Sequence, residues 1–161
     1  MAIRRIATDL ETLRKVSRPI EIFDEDLHAL LQDLHDTAGS LNKGNIFAAG
    51  LAAIQVGISK RVVLIRRQGK YVEMINPVVT FQSEAKDIAE EGCFSVKSPE
   101  GLDYWGKDVK RSKRIRIEYQ DRDGNKIAKE VKGFEARAIL HEIDHLEGIL
   151  YTDRARELEC E

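Results

Sequence analysis

The stretch Phe-Glu-Ala-Arg-Ala-Ile-Leu-His-Glu-Ile-Asp-His-Leu-Glu-Gly, residues 134–148, decides how the rest of the chain is read. Its spacing predicts a helix over 134–146, closed by Gly148 just past its end. A helix advances about 100° per residue, so His141 and His145 stand one turn apart on one face, where both imidazoles reach one metal ion. Glu142 is rotated off that face, outside the metal's own shell yet within reach of a water held there. Phe134 and Ala138 continue the histidine stripe, while Ile139, Ile143 and Leu146 cover the opposite side. A helix apolar nearly all round belongs at the centre of a fold. Buried imidazoles on such a helix need partners, and a metal supplies one to both.

Working outward, residues 24–41 carry the other helical pattern. Asp24 caps it, Glu25 and Asp26 suit the positive end of its dipole, and Leu27, Leu30, Leu31, Leu34, Ala38 and Leu41 share one stripe. His28 and His35 lie on its polar-rich side and read as solvated. Segments 61–66, 71–81 and 114–119 read as strands, the second broken by Pro77. Asp123-Gly124 turns a hairpin between Glu118 and Lys129. A calcium loop starting at Asp121 fails, because Lys126 and Lys132 occupy the positions that need Gly and Glu. A helix near the start, strands between, and a helix late define an α+β fold, with sheets around the central late helix. At 161 residues the expectation is a single catalytic domain spanning 1–161.

Composition excludes more than it assigns. A 42% hydrophobic, 34% charged chain without low-complexity stretches is neither fibrous nor disordered. The longest apolar run, 46–54, is too short to cross a bilayer, and the chain opens with no secretory pattern. Two cysteines, Cys93 and Cys160, make no disulfide framework, so a reducing cytoplasm is expected. A net charge of −2 exerts no general pull on nucleic acid. The expected molecule is a cytoplasmic monomer with neither membrane nor specific nucleic-acid partners.

Catalytic metals usually take three protein ligands and a water. Among the candidates for the third, Cys93 is the distinctive one, set in Glu91-Gly92-Cys93-Phe94-Ser95. Between 43 and 57 the residues turn small, including Ala48, Ala49, Gly50, Ala52 and Ala53, so another backbone or a ligand can approach closely. The order Gly50-Leu51-Ala52-Ala53-Ile54-Gln55, then Glu91-Gly92-Cys93-Phe94-Ser95, then His141-Glu142-Ile143-Asp144-His145-Leu146 resembles the three motifs of the peptide deformylases. Leu13-Arg14, Ile75-Asn76-Pro77 and Gly148-Ile149-Leu150-Tyr151 leading to Asp153-Arg154 extend the resemblance over nearly the whole chain.

The resemblance implies a peptide-deformylase-like fold and a metal site of Cys93, His141 and His145, with water in the fourth position made acidic by the metal. Ferrous iron is the implied cofactor; the donors equally suit Zn²⁺, Ni²⁺ or Co²⁺. Glu142 is implied as the general base and acid, and the Gln55 amide with the Phe94 backbone N–H as the oxyanion donors. Glu91 and Arg111 match the family's supporting pair. The implied reaction is hydrolysis of the formyl group from the N-formylmethionine of nascent polypeptides, releasing formate. Phe134 and Ala138 would line the methionine pocket, and the peptide would pair with backbone near Ala49 and Gly50.

Some positions depart from the family pattern. Ala48 replaces a glycine, which costs about 1 kcal/mol if that position needs a positive φ. Leu140 replaces the usual Gln, Phe94 the usual Leu, and Lys97 a common Pro. The segment 96–110, with Tyr104 and Trp105 at its tip, is longer than usual and is expected either to rim the peptide site or to form a surface excursion. The chain stops soon after His145, leaving 154–161 as a short charged tail without the helix some bacterial members use to reach the ribosome. Six basic residues between Lys107 and Arg116 offer either a transient ribosome contact or one solvated strand face. Another H-E-x-x-H metallohydrolase, or a non-catalytic formyl-peptide or metal-binding module derived from the family, are the alternatives these departures leave open.

Overall fold

The computed structural model describes residues 2–44, 46–96 and 106–161. Helix α1 (Leu10–Leu13) is a single turn, and α2 runs Glu25–Leu41. Strands β1 (Gly50–Ala52), β2 (Val62–Arg67), β3 (Lys70–Gln82), β4 (Lys86–Glu91), β5 (Lys107–Ser112), β6 (Arg114–Gln120) and β7 (Lys126–Lys132) follow, then α3 (Gly133–Leu146) and α4 (Tyr151–Glu159). A five-stranded sheet has the order β1-β2-β3-β6-β7, and β4 and β5 form a second sheet. Every strand pair is antiparallel. None of the described helices is long and apolar enough to cross a membrane.

Strand β2 shows how the layers arise. Side chains alternate along a strand, so a strand covered on both faces must be apolar throughout. Val62 and Leu64 join Leu27, Leu30, Leu31, Leu34 and Ala38 of α2 in one cluster. Val63 and Ile65 join Ile139, Leu140 and Leu146 of α3 in the other. The sheet therefore lies between the two helices, with β1 and β7 as its edges. Asp24 caps α2 as expected, accepting from the Leu27 N–H at 3.1 Å.

Three expectations change. Pro77 does not break its strand: β3 runs through it, and the pairing with β6 shifts register between Ile75 and Val78. A bulge accommodates a residue with no N–H to donate. Residues 154–161 are not a loose tail, since most of them belong to α4. Tyr151 and Ala155 of that helix pack on Val109 and Cys93, and Glu159 and Glu161 pair with Lys107 and Lys110. His28 and His35 are half-buried and partnered, His35 Nε2 lying 2.8 Å from Glu73. Of the expected excursion 96–110, Lys107–Ser112 holds β5, while 97–105, including Lys97, Tyr104 and Trp105, lies outside the described residues. The hairpin at Asp123-Gly124 forms as read: the Asp121 carboxylate accepts from the Asp123 and Asn125 N–H groups.

Gly148 ends α3 at φ +71°, a left-handed conformation, and the Ile149 N–H returns to the Asp144 carbonyl at 2.9 Å. A Cβ at Gly148 would collide with the Arg14 carbonyl oxygen. Arg14 itself grips the Gly148 carbonyl at 2.9 Å and the Asp153 carboxylate, locking α1 against the α3–α4 junction. Gly148→Ala is expected to cost about 2 kcal/mol or more, since strained φ and a backbone clash act together. Thermal unfolding should show this as a fall in Tm of roughly 5 °C.

Candidate metal centre

Helix α3 places the two histidine rings 5.1 Å apart. Cys93 comes from the turn after β4, which closes with the Val96 N–H on the Cys93 carbonyl at 3.3 Å. Ligand atoms of Cys93, His141 and His145 all lie within 4.8 Å of one another, the Cys93 Sγ being 3.4 Å from His145 Nε2. One thiol and two imidazoles converge in the interior.

Glu91 sets the orientation of His141. It is buried at the end of β4, and His141 Nδ1 lies 2.9 Å from its Oε1. An ionised carboxylate only accepts, so Nδ1 carries the hydrogen and Nε2 keeps its lone pair for the cluster. Arg111 holds both Glu91 oxygens at 2.9 Å. Tyr151 stacks on the His141 ring with centroids 6.0 Å apart.

The sequence reading missed much of this support. Arg137 donates to Glu91 at 2.8 Å, to the Val109 carbonyl at 2.8 Å and to Asp87 at 2.6 Å. Arg111 also reaches Asp144 at 2.7 Å, and Arg154 holds Asp144 through two bonds. A usable signal existed. Arg137 is a cation one helical turn before His141 on a nearly all-apolar helix, and a buried cation must be paired.

Electrostatics follow from burial and charge together. Burial pushes the Glu91 carboxyl up, but bonds from Arg111 and His141 outweigh it and hold the group well below the usual carboxylate range. Burial likewise raises the Cys93 thiol, and the two histidines reverse this and favour the thiolate. Glu142 goes the other way. Its burial raises the carboxyl above the ordinary value, against the pull of His141 and His145.

Glu142 is almost wholly buried, and its Oε2 has no hydrogen-bond partner among the described residues. Gly50 lies directly against it: a Cβ there would stand 2.7 Å from Glu142 Cγ and 2.8 Å from the Leu64 carbonyl oxygen. Gln55 follows β1 in a short 3₁₀ turn, Ala53–Val56. Its Oε1 accepts from the Ala52 N–H at 2.9 Å, which turns the amide NH₂ toward Ser95 Oγ at 3.1 Å and Cys93 Sγ at 3.5 Å. A cleft of about 320 Å³ opens over the cluster. Ala49, Gly50, Gln55, Phe94 and Ala138 line it with Cys93, His141 and Glu142. Phe134 is 63% exposed and stands at its mouth, whereas Ala138 is buried inside.

Two sequence departures prove structurally mild. Ala48 is not among the residues with positive φ, so the strain conditional on that conformation does not arise. Leu140 is buried in the core cluster with Ile139 and Ile117.

The donor set fits a single transition-metal ion: a thiol held toward its thiolate and two imidazoles converge, and Glu142, with its unpartnered Oε2, lines the same cleft. Antiparallel sheets around a central H-E-x-x-H helix, completed by a cysteine, define a metal-dependent hydrolase. The polypeptide deformylase family model matches residues 3–161. A peptide deformylase of Caldicellulosiruptor bescii is 42% identical over 155 residues, covering 96% of this chain and 86% of the relative. The crystal structure of peptide deformylase from Thermotoga maritima superposes with a TM-score of 0.85 at 35% identity, covering 96% of this chain and 98% of that one. A Met-Ala-Ser-bound class I type b peptide deformylase from Acinetobacter baumannii has a TM-score of 0.84 at 28% identity, covering 96% of this chain and all of that one, 100%. The chain belongs to the peptide deformylase family, metal-dependent enzymes of protein biosynthesis that remove the formyl group from nascent polypeptides.

Cys93→Ser is expected to lower affinity for the ion by about tenfold or more, because a hydroxyl replaces an anionic sulfur donor. Elemental analysis after dialysis against a chelator reads this directly. Stoichiometric metal in the variant would remove Cys93 from the ligand set.

Proposed function

We propose that Cys93, His141 and His145 hold the metal and that Glu142, Gln55 and Phe94 carry the hydrolysis of N-formylmethionyl peptides. The observation behind this reading is Glu142 itself, which lines the cleft beside the ligand cluster and whose buried Oε2 has no hydrogen-bond partner among the described residues. The ion, proposed to be ferrous iron, supplies Lewis-acid activation of water and polarisation of the formyl oxygen when bound. Glu142 takes a proton from the attacking water and returns it to the methionine nitrogen as the C–N bond breaks, so formate and a free amine leave. Burial raises its proton affinity, the direction that suits a group that must both take up and return a proton.

Gln55 and Phe94 act on charge that develops only during attack. The Gln55 amide is oriented by the bond its oxygen accepts from the Ala52 N–H, which aims its NH₂ toward the ligand cluster beside Cys93. The Phe94 backbone N–H is the second proposed donor, and it does not depend on the side chain at that position. Glu91 and Arg111 keep His141 in its ligating tautomer. Ala138, with Phe134 at the mouth, is proposed to receive the methionine side chain.

Peptide pairing is proposed along the free edge of β1. Ala49 gives its carbonyl to the Arg66 N–H at 2.8 Å, and Leu51 pairs with Leu64. Antiparallel ladders alternate, so the backbone groups of Gly50 face away from β2 and toward the cleft. Gly50 is thus the stronger candidate of the expected pair. The Met-Ala-Ser complex of the A. baumannii relative supports a short methionyl peptide as the ligand class. The proposal takes 1–161 as one catalytic domain, a cytoplasmic monomer meeting its substrate at the ribosome. Lys107, Lys110, Arg111 and Arg114 of the basic run are engaged by acidic partners, which leaves Lys113 and Arg116 exposed for such a contact.

Two variants test the roles on a formyl-Met tripeptide with metal content measured in parallel. Glu142→Gln should retain the ion and peptide binding while kcat falls by about 10² to 10⁴. Gln55→Leu should lower kcat and kcat/KM together by about 10² to 10³, with little change in binding. Full activity of Glu142→Gln would place the base elsewhere. A metal-loaded wild type that binds formyl peptide without turnover would make the protein a binding module.

A further inference from the structure

A second cavity, about 430 Å³ in volume, is walled by α3, α4, β3 and β5. Leu140, Ile143, Asp144 and Glu147 reach it from α3, at a spacing that puts them on one helix face. That face is not the one carrying His141 and His145, and no residue lining this cavity lines the catalytic cleft. Pro77 and Val79 of β3 and Leu158 of α4 join Leu140 and Ile143 to give an apolar lining. Leu140 stands where the family pattern carries Gln, so this chain is apolar where an amide is usual. A cavity of this volume, apolar in part and bordered by a few polar groups, has the make-up of a small-molecule site.

Its charges do not cancel. Every lining carboxylate is already taken: Asp144 by Arg111 and Arg154, Glu147 by Arg61, Glu157 by Arg154, and Glu161 by Lys110. Lys86 also lines the cavity, and it has no carboxylate partner among the described residues. Lys86 lies directly opposite Ser112 in the β4–β5 ladder, so the two side chains share one face of that sheet. The buried Ser112 hydroxyl donates to Gln82 Oε1 at 3.4 Å. With its oxygen so engaged, Gln82 offers the NH₂, which makes no hydrogen bond among the described residues. An ammonium and an amide NH₂ thus border the cavity beside one serine, and both only donate.

We propose that this cavity binds a small amphipathic carboxylate, its head at Lys86 and Gln82 and its hydrocarbon part against Leu140, Ile143 and Leu158. A carboxylate only accepts, so it matches two donors, and its single charge matches the one uncompensated cation. A cationic head would meet Lys86 as like charge, with each lining carboxylate already engaged. Burial of the hydrocarbon part against the apolar lining supplies the remaining affinity. The site is separate from the catalytic cleft and does not depend on how that cleft is read.

The test is calorimetric titration of the metal-loaded protein with octanoate, acetate and octylamine as probes. Octanoate should bind with one-to-one stoichiometry and a Kd of about 10⁻⁴ to 10⁻³ M, the scale for a ligand of its size. Acetate, which keeps the head without the tail, should show no binding at millimolar concentration. Octylamine, which keeps the tail and reverses the charge, should bind at least about tenfold more weakly. Lys86→Gln should weaken octanoate about fivefold, the scale of one solvent-exposed ion pair. Leu140→Gln should weaken it about tenfold, because the tail then lies against an amide that must give up water. Thermal unfolding of each variant shows that it is folded. No octanoate binding at millimolar concentration would overturn the site, and so would octylamine binding as tightly as octanoate. Unchanged octanoate affinity in either variant would place the carboxylate elsewhere, the catalytic metal included, and overturn it equally.

Discussion

A buried carboxylate holds this structure to its chemistry. Glu91 is almost wholly inaccessible, and it accepts from Arg111, Arg137 and His141 together. Taking one partner from a buried ion pair typically costs about 3–5 kcal/mol, because a charge is left with neither solvent nor counterion. Each partner of Glu91 is therefore committed to its position. Arg137 fastens α3 to both strands of the small sheet through Asp87 and the Val109 carbonyl. Arg111 carries the chain of charges on to Asp144, and Arg154 brings in α4. His141 receives its tautomer from the same carboxylate. The ligand cluster is the active end of a charge network that also joins two helices to a sheet.

That network explains why the site lies where two sheets meet. Cys93 leaves the end of β4, the histidines ride on α3, and Gln55 follows β1 at one edge of the larger sheet. None of these elements supplies a complete site. The α3 helix is pressed against the larger sheet by one core cluster, and the smaller sheet is pinned to α3 by the arginines. Gly50 is the point of closest approach, where only a residue without Cβ lets the strand backbone lie against Glu142.

Differences between this chain and the family pattern fall where the structure tolerates them. Ala48 takes an ordinary backbone conformation with both its polar groups satisfied. Leu140 enters the core, and Phe94 contributes a backbone group to the proposed oxyanion site.

The sequence by itself determined that His141 and His145 share one helix face with Glu142 beside it, because helical periodicity fixes that relation without any tertiary information, whereas Cys93 entered through the family resemblance. It also determined α2, whose cap and leucine stripe are local signals, and the hairpin at Asp123-Gly124. Local patterns fell short wherever long-range contacts did the stabilising. Helix α4 buries only Tyr151 and Ala155, too little for a recognisable stripe, and it forms because β5 offers a surface and lysines for its acidic residues. The path of β3 through Pro77 required β6 beside it to take up the bulge. The role of Arg137 needed Glu91, 46 positions away in the chain, to arrive at its guanidinium. Periodicity reports what one element can present; what it meets depends on closing loops between distant segments, and only the folded structure decides that.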